Sequence, residues 1–394
     1  MCIRDRCGTE YPPVKIALCK KCFGPLDVVY DYNHIKISRA SFKSRPPTIW
    51  RYSELLPISD KKNIVDLNTG FTPLVRCSNL GKSLGLRNLY VKNDSVNPTF
   101  SFKDRPAEVA VSKTIEFGDP AVACVSTGNL AAAVAAHAGK ANLSCYVFTP
   151  SDIEPGKIAQ IASYGAKIIP VRGTYDDANR LAYLASELYG WNIVNITSRP
   201  YYCEGSKTLA FEICEQLGWN RPDHVIIPVA SGALLCAVSR GFLQLGKVGL
   251  TGDEKIRLYG AQAEGCAPIA EAFIRGTEKV LPVKCPKTIA KSIAIGDPGD
   301  GLYTLREVRR SGGVFGAVSD SEIVESIILL AKTEGIFTEP AGGVTIALAK
   351  RLVEEGRIGR DDLVVCCVTG NGLKTIDVVS SNTFTLGEIE PTLE

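Results

Sequence analysis

Short β-branched apolar runs alternate with helical segments along most of the chain, and this alternation constrains the fold more than any other feature. Ala121 to Val125, Ser144 to Phe148, Lys167 to Val171, His224 to Val229, Arg257 to Ala261 and Leu363 to Val368 read as strands. Between and around them, Gly128 to Lys140, Pro155 to Tyr164, Tyr175 to Leu188, Lys207 to Leu217, Ala233 to Leu243, Ser321 to Glu334 and Gly343 to Glu355 read as helices. Strands without polar alternation are buried on both faces, as in parallel sheets covered by helices. The expected class is therefore α/β. A chain of 394 residues has room for roughly two to three domains.

Composition narrows the function classes. Ala121 to Gly139 carries no formal charge, but Ser126-Thr127-Gly128-Asn129 breaks it with a polar turn. That is a strand, a turn and a helix, not a membrane span. Lys+Arg is 45 against Asp+Glu 42, a net charge of +3, which gives no field for nucleic acid. Most of the 14 cysteines stand alone in apolar runs, where a thiol packs as a small apolar group. The charged start, Met1 to Arg6, is unlike a secretion signal, so a reducing cytoplasm is expected.

Several motifs fail. Gly81-Lys82-Ser83 lacks the glycine that opens a phosphate-binding loop, because Arg76 stands there. No G-x-G-x-x-G follows a strand, and the 3 histidines, His34, His137 and His224, are isolated. His137 reads as a satisfied, half-buried side chain on an apolar helix.

The informative segment is Asn97-Pro98-Thr99-Phe100-Ser101-Phe102-Lys103-Asp104-Arg105. Asn-Pro marks a turn, Ser101 is a candidate N-cap, and a helix is expected over Pro106 to Phe117. Lys103 then lies near a helix N-terminus, where positive potential and burial lower an amine's pKa. A neutral amine can attack a carbonyl or serve as a base. A plain surface lysine fits this spacing too. Three further turns shift the balance: Ser126-Thr127-Gly128-Asn129, Ala230-Ser231-Gly232-Ala233-Leu234 and Thr369-Gly370-Asn371-Gly372. Each follows a buried strand, at the strand end where open α/β sheets bind ligands, and the small residues admit a phosphate. Together they suggest one site for a phosphorylated cofactor.

The series S-F-K-D-R, S-T-G-N, a small-residue loop and T-G-N-G resembles the threonine synthases, within the fold type II pyridoxal-phosphate enzymes. Gly70 to Leu74, Asn195 to Tyr202, Glu204 to Thr208 and Glu339 to Gly342 agree with it, and the likeness covers Asp66 to Asp377. The resemblance implies a tryptophan-synthase-β-like architecture with two parallel-sheet domains. It implies an N-terminal segment over 1–32, a larger cofactor-binding domain over 33–96 and 203–394, and a smaller domain over 97–202. It implies pyridoxal 5'-phosphate as cofactor, with Lys103 as the Schiff-base lysine. Asn129 would meet the ring oxygen, Ala230, Ser231, Gly232, Ala233 and Leu234 the cofactor phosphate, and Thr369 the pyridine nitrogen. The implied reaction converts O-phospho-L-homoserine and water to L-threonine and phosphate. Lys92 and Arg199 are the expected clamp on the substrate phosphate. Ser126, Thr127 and Gly128 are expected at the substrate carboxylate, and Ser101 at either phosphate. A homodimer follows by analogy alone.

The sequence departs from that pattern in places. Ala230 and Ala233 stand where such loops often carry glycine, so φ there should be negative. Cys19-x-x-Cys22 is half of a zinc ribbon, but Cys2 and Cys7 have four residues between them rather than two. Cys7, Cys19 and Cys22 are the candidate zinc ligands, with metal binding left open. Met1 to Arg6 also looks like a translated adapter junction, which would make Cys2 foreign. Rival readings are a threonine or serine dehydratase, a phosphoserine-using cysteate synthase, and an inactive paralogue. Retained Lys103 argues against the last.

Overall fold

The computed structural model describes residues 2–3, 7–126, 128–151, 155–195, 200–380 and 391, with no side chains described at 2–3, 155–157 and 175. Thirteen strands form three sheets among them. In chain order they are β1 (Cys2–Ile3), β2 (Glu10–Tyr11), β3 (Asp27–Val28), β4 (Leu74–Arg76), β5 (Asn88–Asn93), β6 (Ala121–Val125) and β7 (Ser144–Pro150). There follow β8 (Lys167–Val171), β9 (Asn192–Val194), β10 (His224–Pro228), β11 (Arg257–Ala263), β12 (Phe315–Val318) and β13 (Leu363–Val368).

The large sheet has the order β12-β11-β10-β13-β5-β4, parallel except for β4, which runs antiparallel to β5. The smaller sheet, β8-β7-β6-β9, is wholly parallel. Its strands lie within 121–194, between the two stretches that build the large sheet. The N-terminal sheet is a small antiparallel one, β2-β1-β3.

Continuous apolar strands are explained by two cores on each main sheet. On β13, Val365 and Cys367 pack with Val225 and Ile227, while Val364, Cys366 and Val368 pack with Val91 and Ile226 on the other face. The smaller sheet repeats this, with Val122, Cys124 and Val147 on one side and Ala123, Val125 and Phe148 on the other. Burial pushes the Cys145 and Cys214 thiols up to about 12, so they act as uncharged packing groups.

Several boundaries differ from expectation. The expected helix over Lys207 to Leu217 is preceded by a short helix, Tyr201–Ser206, and starts at Thr208, with Lys207 joining the two. The helix at Asp320–Glu334 starts one residue early, because Ser319 and Glu322 form a reciprocal cap. Helices Pro268–Ile274 and Gly301–Ser311 and strand β12 were not anticipated. No helix among the described residues is long and apolar enough to cross a membrane.

Candidate active site

The turns after β6, β10 and β13 all open at the C-terminal ends of parallel strands, where the topology leaves room for a ligand. The lysine turn is tied to the last of them. Phe102 N–H donates to the Thr369 carbonyl at 2.9 Å, Asn371 N–H donates to the Phe100 carbonyl at 3.1 Å, and Ser101 bridges Gly370. Phe100 reverses the chain with φ +65°, a left-handed conformation costly for a large side chain. The helix Asp104–Glu116 then starts directly after Lys103.

Lys103 is half-buried. Its Nζ donates to the Tyr202 hydroxyl at 3.0 Å and lies 4.7 Å from the Phe102 ring centroid. Burial lowers the amine to about 8, although Cys203 and Glu339 pull the other way. The free amine is therefore reached closer to neutral pH than in an exposed lysine. Ser101 does not cap the helix. Lys103 occupies the cap position with no side-chain bond to the helix's N–H groups, and the buried Ser101 Oγ has no hydrogen-bond partner among the described residues. An unpaired buried hydroxyl is costly and suits a ligand oxygen.

Asn129 opens the helix Asn129–Lys140 after Gly128, and Ser126 Oγ accepts from Gly128 N–H at 3.2 Å. The Asn129 amide donates to the Glu339 carboxylate at 3.1 and 3.2 Å, while its oxygen accepts from Lys374 Nζ at 2.8 Å. Thr369 is 3% exposed at the end of β13. Thr127 and Arg199 lie outside the described residues.

The loop Ala230 to Leu234 leads from β10 into the helix Ala233–Lys247. Gly232 has φ +100°, and a side chain there would collide with Thr304 Oγ1, so the position needs glycine twice over. Neither Ala230 nor Ala233 has positive φ, in line with alanine. The first N–H groups of the helix have no acceptor within it, and Ala233 packs on the cluster that contains Tyr202 and Cys203. A flat, phosphorylated aldehyde fits this set: a near-neutral amine, a glycine-kinked helix start and an unpaired buried hydroxyl.

Lys92 requires a correction. Its Nζ donates to the Thr72 carbonyl at 2.6 Å, Gln216 at 2.9 Å and Glu212 at 2.6 Å, with the side chain 0% exposed. All three protons are committed, so Lys92 cannot clamp a substrate phosphate. It belongs to a sealed, charge-balanced group. The Arg105 guanidinium pairs with Asp94 at 2.6 and 2.8 Å and with both oxygens of Glu212. Burial would raise the Glu212 carboxyl, but Arg105 and Lys92 hold it at about 2. This group locks the start of the lysine helix to the large sheet. His137 is also structural: its ring bonds the Ala133 carbonyl at 2.8 Å, Glu108 at 3.0 Å and Thr69 at 3.2 Å.

Tyr202, Glu339 and Lys374 were not singled out from the sequence. Tyr202 and Glu339 stand inside segments that carry the resemblance, and Lys374 follows the T-G-N-G turn, but none has a local pattern of its own.

Residues 65–370 match the pyridoxal-phosphate dependent enzyme family. The threonine synthase of Methanocaldococcus jannaschii is 44% identical over 378 residues, 94% of this chain and 92% of that protein. That of Methanosarcina acetivorans is 40% identical over 393 residues, 98% of this chain and 95% of that protein. The solved structure of processed threonine deaminase isoform 2 from Solanum lycopersicum superposes with TM-score 0.67 at 24% identity, covering 79% of this chain and 84% of that one, and so shares the fold. The chain therefore belongs to the pyridoxal-phosphate-dependent enzymes of fold type II, and within them to the threonine synthases.

Proposed function

We propose that the chain converts O-phospho-L-homoserine and water to L-threonine and phosphate, with Lys103 as its proton-transferring amine. The observation that carries this reading is the Lys103 amine, lowered to about 8 by burial, on a turn bonded to Thr369, Gly370 and Asn371 at the end of β13. Bound pyridoxal phosphate would supply an electron sink for charge developing at the substrate's α-carbon. Lys103 Nζ would take the α-proton and then a β-proton, before phosphate leaves the γ-carbon and water adds at the β-carbon. Ala230, Ser231, Gly232, Ala233 and Leu234 would hold the cofactor phosphate, Asn129 the ring oxygen and Thr369 the ring nitrogen. Ser126, Thr127 and Gly128 are assigned to the substrate carboxylate, Arg199 to its phosphate, and Ser101 to whichever phosphate reaches its unpaired hydroxyl. The domain division at 33–96 with 203–394 against 97–202, a cytoplasmic location and a homodimer belong to the same reading.

The test is product analysis by proton and phosphorus NMR with O-phospho-L-homoserine and pyridoxal phosphate. Threonine and phosphate should appear in equal amounts. Phosphate with 2-oxobutyrate and no threonine, or turnover of O-phosphoserine or threonine alone, would refute the assignment.

Cys7, Cys19 and Cys22 carry a second, structural reading. Their sulfurs all lie within 4.8 Å of one another, and two pairs are 3.6 Å apart. A zinc tetrahedron with bonds of about 2.3 Å has edges of about 3.8 Å. We infer a structural zinc on these thiols, with the side chain of Cys2 outside the described residues. Atomic spectroscopy should find about one zinc per chain. A folded, metal-free protein would end the idea.

A further inference from the structure

We propose that Tyr202 is the positioning residue for the Lys103 amine, its hydroxyl accepting from the ammonium form and donating to the free amine as protons pass through Lys103. The proposal rests on the reading of Lys103 above. Among the described residues, the Tyr202 hydroxyl is the hydrogen-bond partner of Lys103 Nζ, at 3.0 Å. A proton carrier that changes charge needs a partner able to serve both states. A carboxylate or carbonyl can only accept, and another ammonium can only donate. A phenol does both.

Packing aims that phenol. Tyr202 is 3% exposed and belongs to the core cluster that holds Ala107, Val111, Leu130 and Val134. The short helix Tyr201–Ser206 that carries it lies against the lysine helix through Gly205, where any side chain would overlap the Arg105 carbonyl. The helix that carries Tyr202 is thus held, at Gly205, against the backbone two residues beyond Lys103. The other groups acting electrostatically on the amine are the Cys203 thiol, from the same short helix, and the Glu339 carboxylate, at the start of the helix Pro340–Glu354. Both favour the charged amine and oppose burial.

The test uses full-length Tyr202→Phe and Tyr202→His. In the cofactor-free chain, the pH dependence of Lys103 acetylation, read by mass spectrometry, reports the proton affinity of the amine. Phenylalanine removes an acceptor from the ammonium, so the midpoint should fall by about one pH unit. In the loaded enzyme, exchange of the α-proton of L-threonine with deuterated water, read by NMR, should slow roughly tenfold or more with KM unchanged. Histidine, which also donates and accepts, should restore part of both. A Tyr202→Phe chain with wild-type melting, an unmoved midpoint and unchanged exchange would overturn the proposal. If that variant does not fold, the Tyr202→His midpoint decides: close to wild type supports the role, and a fall of about one unit refutes it. Absence of α-proton exchange in the wild type would instead overturn the reading of Lys103, and this proposal with it.

Discussion

Replacing Glu212 with Gln keeps the shape of a fully buried side chain and removes its charge. Arg105 then keeps its pair with Asp94, while Lys92 loses its carboxylate partner. In the wild type, burial disfavours the carboxylate, yet the two cations hold it at about 2 instead of the usual 4.5. At about 1.4 kcal/mol for each pH unit, that displacement is worth about 3 kcal/mol. Removing one partner of a buried ion pair costs about 3–5 kcal/mol by independent reasoning. With an unfolding entropy of about 2.1 cal/mol/K per residue over 394 residues, about 3 kcal/mol lowers the melting temperature by about 4 °C. The sign of the pH dependence follows. A carboxyl depressed in the folded state stabilises above its unfolded value of 4.5, and that stability fades as pH falls toward about 2. Melting of wild type and Glu212→Gln should therefore differ by about 4 °C at pH 7, and the gap should narrow on acidification below 4.5. A gap under about 1 °C at pH 7, or one indifferent to acid, would show that the buried group does not lock the lysine helix.

Other substitutions separate binding from stability. Lys92→Met should lower the melting temperature and leave KM for O-phospho-L-homoserine within about twofold, because a sealed ammonium touches no substrate; a raised KM with unchanged melting would restore Lys92 to the site. Ser101→Ala removes a hydroxyl without a protein partner. Its melting without cofactor should stay within about 1 °C of wild type, while cofactor or substrate affinity drops severalfold by titration. Gly232→Ala forces a methyl to φ +100° against Thr304 and should weaken cofactor binding about tenfold by equilibrium dialysis. Unaltered binding would remove this loop from the phosphate cradle.

The parallel strands were legible because both faces of the sheets are buried, leaving apolar runs such as Val364 to Val368 without interruption. The lysine turn was legible from its own chemistry, since Pro98, Lys103 and Asp104 act locally on helix initiation. Lys92 was not. A lysine at the end of β5, just ahead of the lysine motif, reads as a phosphate clamp until Glu212, from a helix far along the chain, closes over it. Tyr202, Glu339 and Lys374 escaped for the same reason. Each comes from a different segment, and only the crossover of the two sheets brings them to Lys103 and Asn129. Phe315 to Val318 was missed because four residues behind two glycines offer too short a pattern to read.

Lys103 is proposed as the amine joined to the cofactor. Borohydride reduction of the yellow holoenzyme, followed by peptide mapping, tests it directly. A pyridoxyl adduct should appear on the peptide containing Lys103, and both adduct and visible absorbance should be lost in Lys103→Ala. An adduct on Lys207 or Lys374, or persistent absorbance in Lys103→Ala, would contradict it.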